Sequence, residues 1–134
     1  MDRITSRKNK VIAHFRQLGR DAAYRSASGE FLCDGKKLLE EAIACKAEIG
    51  TILWKEPLPE SRKAVSVTQF SVPAELYDYV SPMVNSPGPL FTVRFGNTAG
   101  EKAPRSAMIL ENVQDPGNVG TVIRTANAFH IDTV

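Results

Sequence analysis

The chain has 134 residues, 43% of them hydrophobic and 24% charged, an ordinary globular composition with room for one domain, or for one domain and a fragment. No apolar run approaches the roughly 18 residues that span a bilayer, and no apolar core follows the polar start MDRITSRKNK. A secretory signal and a membrane partner are therefore not expected, and the reading is cytoplasmic. The net charge of +2 hides an asymmetry: residues 1–37 carry nine Lys/Arg against four acids, leaving the remainder at −3.

A basic arm on a nearly neutral chain points to a polyanion, the alternative being a solvated helix face. Cys33 and Cys45 are not expected to pair in a reduced compartment. With His14 and His130 they lack zinc-ligand spacing, so no metal is expected.

In chain order, residues 1–20 read as a helix capped by Ser6, with Val11, Ile12, Phe15 and Leu18 at helical spacing and Gly19 near its end. The small polar stretch 21–29 reads as a loop. Glu30 to Cys33 reads as a short strand. A second helix opens at Asp34-Gly35, carries the stripe Leu38, Leu39, Ala42 and Ile43, and closes at Gly50. Thr51 to Trp54 is a strand, ended by a turn rich in proline at Pro57 and Pro59. Val65-Ser66-Val67 alternates as a strand does. Ser71 and Pro73 start a short helix through Tyr79. Residues 81–89 form a loop and Leu90 to Phe95 a strand. This alternation predicts an α/β sandwich of about one hundred residues with helices covering a small sheet.

Residues 96–106 (GNTAGEKAPRS) have the composition of a linker. The expected division is a domain over 1–96, a linker over 97–106 and a new start over 107–134. Ala107 to Val113 has a buried-strand pattern. Asp115-Pro116-Gly117-Asn118 is a turn, Val119 to Phe129 a helix, and Ile131 to Val134 the start of another strand. This is the opening of a βαβ unit, and a parallel sheet cannot be completed in so few residues. The chain is therefore expected to end inside its second domain.

The chemically informative stretch is LENVQDPGNVGTVIRTANAFHID, from Leu110 to Asp132. A strand leads through a tight turn into a helix whose free N–H groups face outward. It is neither a dinucleotide fingerprint nor a P-loop, since the glycine spacing and the Gly-Lys-Ser/Thr ending are both absent.

Asp115-Pro-Gly-Asn118-Val-Gly120-Thr-Val-Ile-Arg124-Thr-Ala126, preceded by Leu110-Glu111-Asn112, resembles the first signature motif of SpoU-type (TrmH-like) RNA ribose methyltransferases. Upstream, Ile4-Thr-Ser6-Arg-Lys-Asn9 and Glu30-Phe-Leu-Cys-Asp-Gly35-Lys-Lys-Leu-Leu-Glu-Glu-Ala resemble that family's substrate-binding domain. The resemblance departs at His130, where the family usually carries Gly. It lacks the Gln-Gly that usually precedes the strand near residue 90, and the second and third family motifs do not occur.

The resemblance implies a fold: a ribosomal-protein-like α/β/α sandwich that binds substrate, followed by the opening βαβ of a truncated SPOUT (trefoil-knot) domain. It implies a reaction too, methyl transfer from S-adenosylmethionine to a 2′-hydroxyl of ribosomal or transfer RNA by a longer parent protein that dimerises through the knot. The cofactor pocket is missing from this stretch, so the chain alone is expected to be inactive.

Arg124 maps onto the motif arginine, expected to hold phosphate and stabilise developing negative charge. A surface salt bridge is its bland alternative. Asn118 maps onto the motif asparagine, which would organise the site or contact RNA, or simply cap the helix. Gly120 would permit close approach, and Glu111 is either a site acid or a satisfied strand-end carboxylate. In the first domain Arg7, Lys8, Lys10, Lys36 and Lys37 would meet phosphates, with Ser6, Asn9 and Gly35 adding polar and backbone contacts. The competing reading is a stand-alone RNA-binding module without catalysis.

Overall fold

The computed structural model describes residues 1–59, 66–96 and 104–134. The chain divides into two compact units, Met1–Asn97 and Thr98–Val134. The expected strand residue Val65 and linker residues 97–103 lie outside the described residues.

The first unit begins with the two-residue strand β1 (Asp2–Arg3) and then helix α1 (Lys10–Arg20). The helix starts later than its apolar pattern suggests. Asn9, not Ser6, is its cap, accepting the Val11 N–H at 2.8 Å through Oδ1. Ser6 shapes the turn before it: its carbonyl accepts the Asn9 N–H at 3.1 Å and its hydroxyl accepts the Lys8 N–H at 3.2 Å.

The expected loop 21–29 is instead helix α2 (Ala22–Ser28). Asp21 caps it by accepting the Tyr24 N–H, and Gly29 at φ 69° ends it. No residue of α2 is buried, so it lacks the apolar stripe that would have marked it.

Strand β2 (Glu30–Asp34) leads into helix α3 (Lys36–Ala44), and Gly35 holds φ 114° at the junction. A Schellman closure ends α3 six residues before Gly50: Lys46 takes φ 55° and the Ala47 N–H reaches back to Ala42 O at 2.9 Å. Gly50 belongs to strand β3 (Ile49–Lys55), where a Cβ would sit 2.5 Å from Thr92 Oγ1. Its role is close strand approach, not helix termination.

Strand β4 (Thr68–Val72) follows the expected 65–67 strand rather than coinciding with it, and Ser66-Val67 is a bend. Helix α4 (Ala74–Val80) and strand β5 (Leu90–Arg94) lie where the sequence places them.

The five strands form one mixed sheet in the order β1-β4-β3-β5-β2. β1, β4 and β3 run parallel, while β5 is antiparallel to both β3 and β2. The period-two alternation of β3 sends its side chains into two cores. Leu53 joins Ile12 and Phe15 of α1 and Leu76, Tyr77 and Val80 of α4 on one face. Ile52 and Trp54 join Leu39 of α3, Phe91 and Val93 on the other. The result is a three-layer α/β/α sandwich. Among the described residues no helix is long and apolar enough to cross a membrane.

The second unit holds helix α5 (Pro116–Ala128). Neither expected strand forms. Segments 107–113 and 131–134 meet in one parallel bridge, Ala107 to Thr133, beside a Met108 N–H bond to Thr133 O at 2.9 Å. Asp132 ties the two segments, accepting the backbone N–H groups of Arg105 (2.9 Å) and Ser106 (3.1 Å).

Candidate functional site

The parallel strands β1, β4 and β3 all end at one rim of the sandwich, where β2 also ends and β5 begins. The carboxyl edge of an open α/β sheet is where such folds place ligands. The residues singled out in the basic arm sit along this rim. Ser6 to Lys10 follow β1, and Gly35 to Lys37 follow β2. β1 and β2 are opposite edges of the described five-stranded sheet, so the strands that lead into the two clusters lie about 19 Å apart, four strand spacings.

Their charges are not equally free. Arg7 Nη2 pairs with Glu75 Oε1 at 2.8 Å, and its guanidinium lies 4.6 Å from the Tyr79 ring centroid. Arg16 covers the same ring at 3.7 Å and donates to Tyr79 O. Arg3 makes a two-pronged pair with Glu56, both bonds 2.8 Å. The Arg3 hydrogen bond holds the Glu56 carboxyl below its usual range. Lys55 Nζ is bound to Asp78 at 2.6 Å and donates to Ser86 O. By contrast, the ammonium groups of Lys8, Lys10, Lys36 and Lys37 have no ion-pair or hydrogen-bond partner among the described residues, and all four residues are exposed.

The polar candidates are engaged locally. Ser6 and Asn9 build the turn before α1, and the Gly35 N–H donates to Pro89 O at 2.9 Å. A Cβ on Gly35 would meet nothing within 4 Å, so φ rather than space requires glycine there.

Sequence reasoning missed the network that anchors this rim. The Asp34 carboxylate accepts from the Tyr77 hydroxyl at 3.2 Å, the Ser81 hydroxyl at 2.9 Å and the Ser86 hydroxyl. It fixes the loop 81–89 to the end of β2, and burial pushes the Tyr77 hydroxyl pKa up. A lone Asp before a Gly signals a turn and reveals nothing of three hydroxyls brought from 43 to 52 residues away.

His14 bonds the Tyr24 hydroxyl at 2.9 Å and Glu30 at 3.0 Å, tying α1 to α2 and β2. Burial pushes the half-buried Cys33 thiol up to about 11, too high for a nucleophile near neutral pH. Among the described residues no group of three His, Cys, Asp or Glu is placed to hold a metal ion.

In the second unit Asp115 caps α5, accepting the Gly117 N–H at 2.7 Å, with Pro116 in the first turn. Asn118 is therefore inside the helix and is not its cap. The guanidinium of Arg124 folds back along α5, donating to Thr121 Oγ1 at 3.2 Å. Its Nη1 lies 3.6 Å from where a Cβ on Gly120 would stand. Gly120 thus leaves the face beside Arg124 open.

Arg124 lies six positions after Asn118, so they project roughly 120° apart around α5. The helix brings Gly120 to Arg124 and does not bring Asn118 to it. Arg124 is exposed and has no carboxylate partner among the described residues. Glu111 is exposed in the irregular segment before α5, next to Asn112 at φ 52°. Among described residues 104–134 only Ala126 is buried. These residues therefore do not by themselves enclose a cofactor the size of S-adenosylmethionine.

His130 takes φ 55° directly after α5 in a Schellman closure, its N–H on Asn127 O and the Ile131 N–H on Ala126 O. The position is one where glycine is favoured, and His130 adopts the left-handed conformation there in its place.

No family model matches the chain. It is 31% identical over 140 residues to an uncharacterized tRNA/rRNA methyltransferase of Synechocystis sp., covering 98% of this chain and 51% of the relative. It is 29% identical over 136 residues to the 23S rRNA (guanosine(2553)-2′-O)-methyltransferase RlmP of Bacillus subtilis, covering 100% and 54%. Among solved structures, an rRNA methyltransferase from Sinorhizobium meliloti superposes with a TM-score of 0.74 at 22% identity, over 95% of this chain and 51% of that one. The chain spans about half the length of the curated relatives it matches.

Proposed function

We propose, from the premise that the chain is related along its whole length to rRNA/tRNA methyltransferases of the SpoU/TrmH family, that it is the N-terminal part of an RNA 2′-O-ribose methyltransferase. Residues 1–96 are the RNA substrate-binding domain, ribosomal-protein-like in architecture. Residues 97–106 are the linker. Residues 107–134 are the first piece of a SPOUT catalytic domain. The observation that carries this reading is Arg124. An exposed guanidinium with no carboxylate partner among the described residues lies beside Gly120 in the stretch that resembles the family's first motif.

Within that reading Arg124 holds the phosphate next to the target ribose. It also stabilises negative charge as the 2′-hydroxyl loses its proton. A neutral sugar hydroxyl is a poor nucleophile, and a fixed cation lowers the cost of its ionisation. Asn118 projects from another side of α5 and organises the site or contacts RNA there. Glu111 and Gly120 support the motif's shape.

S-adenosylmethionine supplies the methyl group in the complete enzyme, which dimerises through its knot and acts in the cytoplasm on ribosomal or transfer RNA. The exposure of residues 104–134 supports an inactive fragment. The test is calorimetric titration of residues 1–134 with S-adenosylmethionine, beside a methyl-transfer assay on RNA. No saturable heat and no transfer are expected. Tight cofactor binding or methylation by this chain would overturn the assignment.

A further inference from the structure

The rim that carries the free lysines also carries a cavity of about 280 Å³. Pro57, Pro59, Pro87 and Pro89 give it rigid ring walls beside Gly88, and the nearly buried Trp54 also lines it. Two lysines complete the lining, and they differ. Lys55 is already neutralised by Asp78 and held by Ser86 O, and it lies over the Tyr77 ring at 5.3 Å. Lys36 has no partner among the described residues. The cavity therefore pairs rigid apolar walls with one free positive charge.

We propose that this cavity receives one unpaired nucleobase of bound RNA, with Lys36 on the phosphate attached to it. The inference rests on the RNA-binding reading above and deepens it from a charged rim to a site for single-stranded substrate. Size, surface and charge agree. The volume is below that of cavities for drug-sized ligands, as suits a single base. Rigid proline rings offer an apolar packing surface to any base without ordering flexible side chains. The loop 81–89 that carries Pro87 is pinned through Ser81 and Ser86 to Asp34, so one wall is set before any ligand arrives. A duplex keeps its bases stacked and paired, and so cannot fill the cavity. A loop, bulge or free end can.

Trp54 is the only tryptophan in the chain, so its fluorescence reports occupancy directly. The full chain is titrated with a mixed-sequence hexaribonucleotide, with the same strand annealed to its complement, and with hexaglutamate. End-labelled RNA anisotropy follows binding in parallel. The single strand is expected to quench Trp54 saturably and the duplex to leave it unchanged. Lys36→Ala should weaken the single-strand affinity about tenfold, the loss of one charge-assisted contact. Arg20→Ala, at the far end of α1 from the rim, should leave the extent of quenching at saturation unchanged.

Anisotropy showing binding without quenching would overturn the base site and leave the RNA reading standing. So would equal quenching by duplex or hexaglutamate, or an unchanged affinity for Lys36→Ala. No anisotropy change with either RNA would overturn both.

Discussion

Salt is the sharpest probe of which cations on the rim face a polyanion. Each phosphate neutralised releases condensed counterions, so log K falls against log salt with a slope of about −0.9 per contact on duplex and about −0.7 on single strands. Ion pairing decides how many contacts to count. Arg3, Arg7 and Lys55 already hold carboxylates, which leaves Lys8, Lys10, Lys36 and Lys37 free. Four contacts predict a slope of about −2.8 to −3.6. Affinity should then fall about 50- to 150-fold between 50 and 200 mM salt.

The assay is fluorescence anisotropy of a labelled RNA hairpin at four or more salt concentrations. Replacing Lys8 and Lys36 with Ala should flatten the slope by between one and two. Arg7→Ala should flatten it little, because its charge is committed to Glu75. A slope near zero, or an equal effect of Arg7→Ala and Lys36→Ala, would refute the account of free and committed charge.

Three further outcomes follow from particular contacts. Asp34→Ala removes the shared acceptor of Tyr77, Ser81 and Ser86, and should cost about 2–4 kcal/mol, because buried hydroxyls lose a charged partner. Urea unfolding followed through Trp54 should show a lower midpoint with an unchanged slope, and a loss below about 1 kcal/mol would contradict the network's role. His130→Gly relieves a left-handed backbone and should slow amide exchange of His130 and Ile131 about fivefold, corresponding to about 1 kcal/mol; faster exchange would count against the closure. Arg3→Ala should raise the Glu56 titration midpoint, read by carboxyl NMR. Since pairing depresses that midpoint, its stabilising effect is present above the ordinary carboxylate value and is lost as pH falls through the folded value.

The sequence announced features that rest on local chemistry. Helices α1 and α3 show in their apolar spacing, α4 in its opening Ser71 and Pro73, β2 and β5 in short apolar runs, and the motif from Asp115 to Ala126 in residue identity alone. It concealed what depends on distant partners. α2 buries nothing, so capping by Asp21 and Gly29 is its only local mark. Gly50 looked like a helix stop because the αL closure at Lys46 lacks a glycine, while the real demand on Gly50 comes from Thr92 across the sheet. Residues 107–113 read as a buried strand, yet the segment is largely exposed and pairs in one bridge only. In the candidate site, the lysines were legible as charge. Their ranking into free and committed groups was not, because it depends on Glu56, Glu75 and Asp78, brought near by folding.

The central claim is that the chain serves an RNA 2′-O-ribose methyltransferase through Arg124. It is tested most directly by mapping ribose methylation in cells lacking the gene. Mass spectrometry of ribosomal and transfer RNA should show one 2′-O-methyl mark missing. The intact gene should restore it, and a gene carrying Arg124→Ala should not. An unchanged methylation map in both RNA classes, or full restoration by the Arg124→Ala gene, would contradict the account.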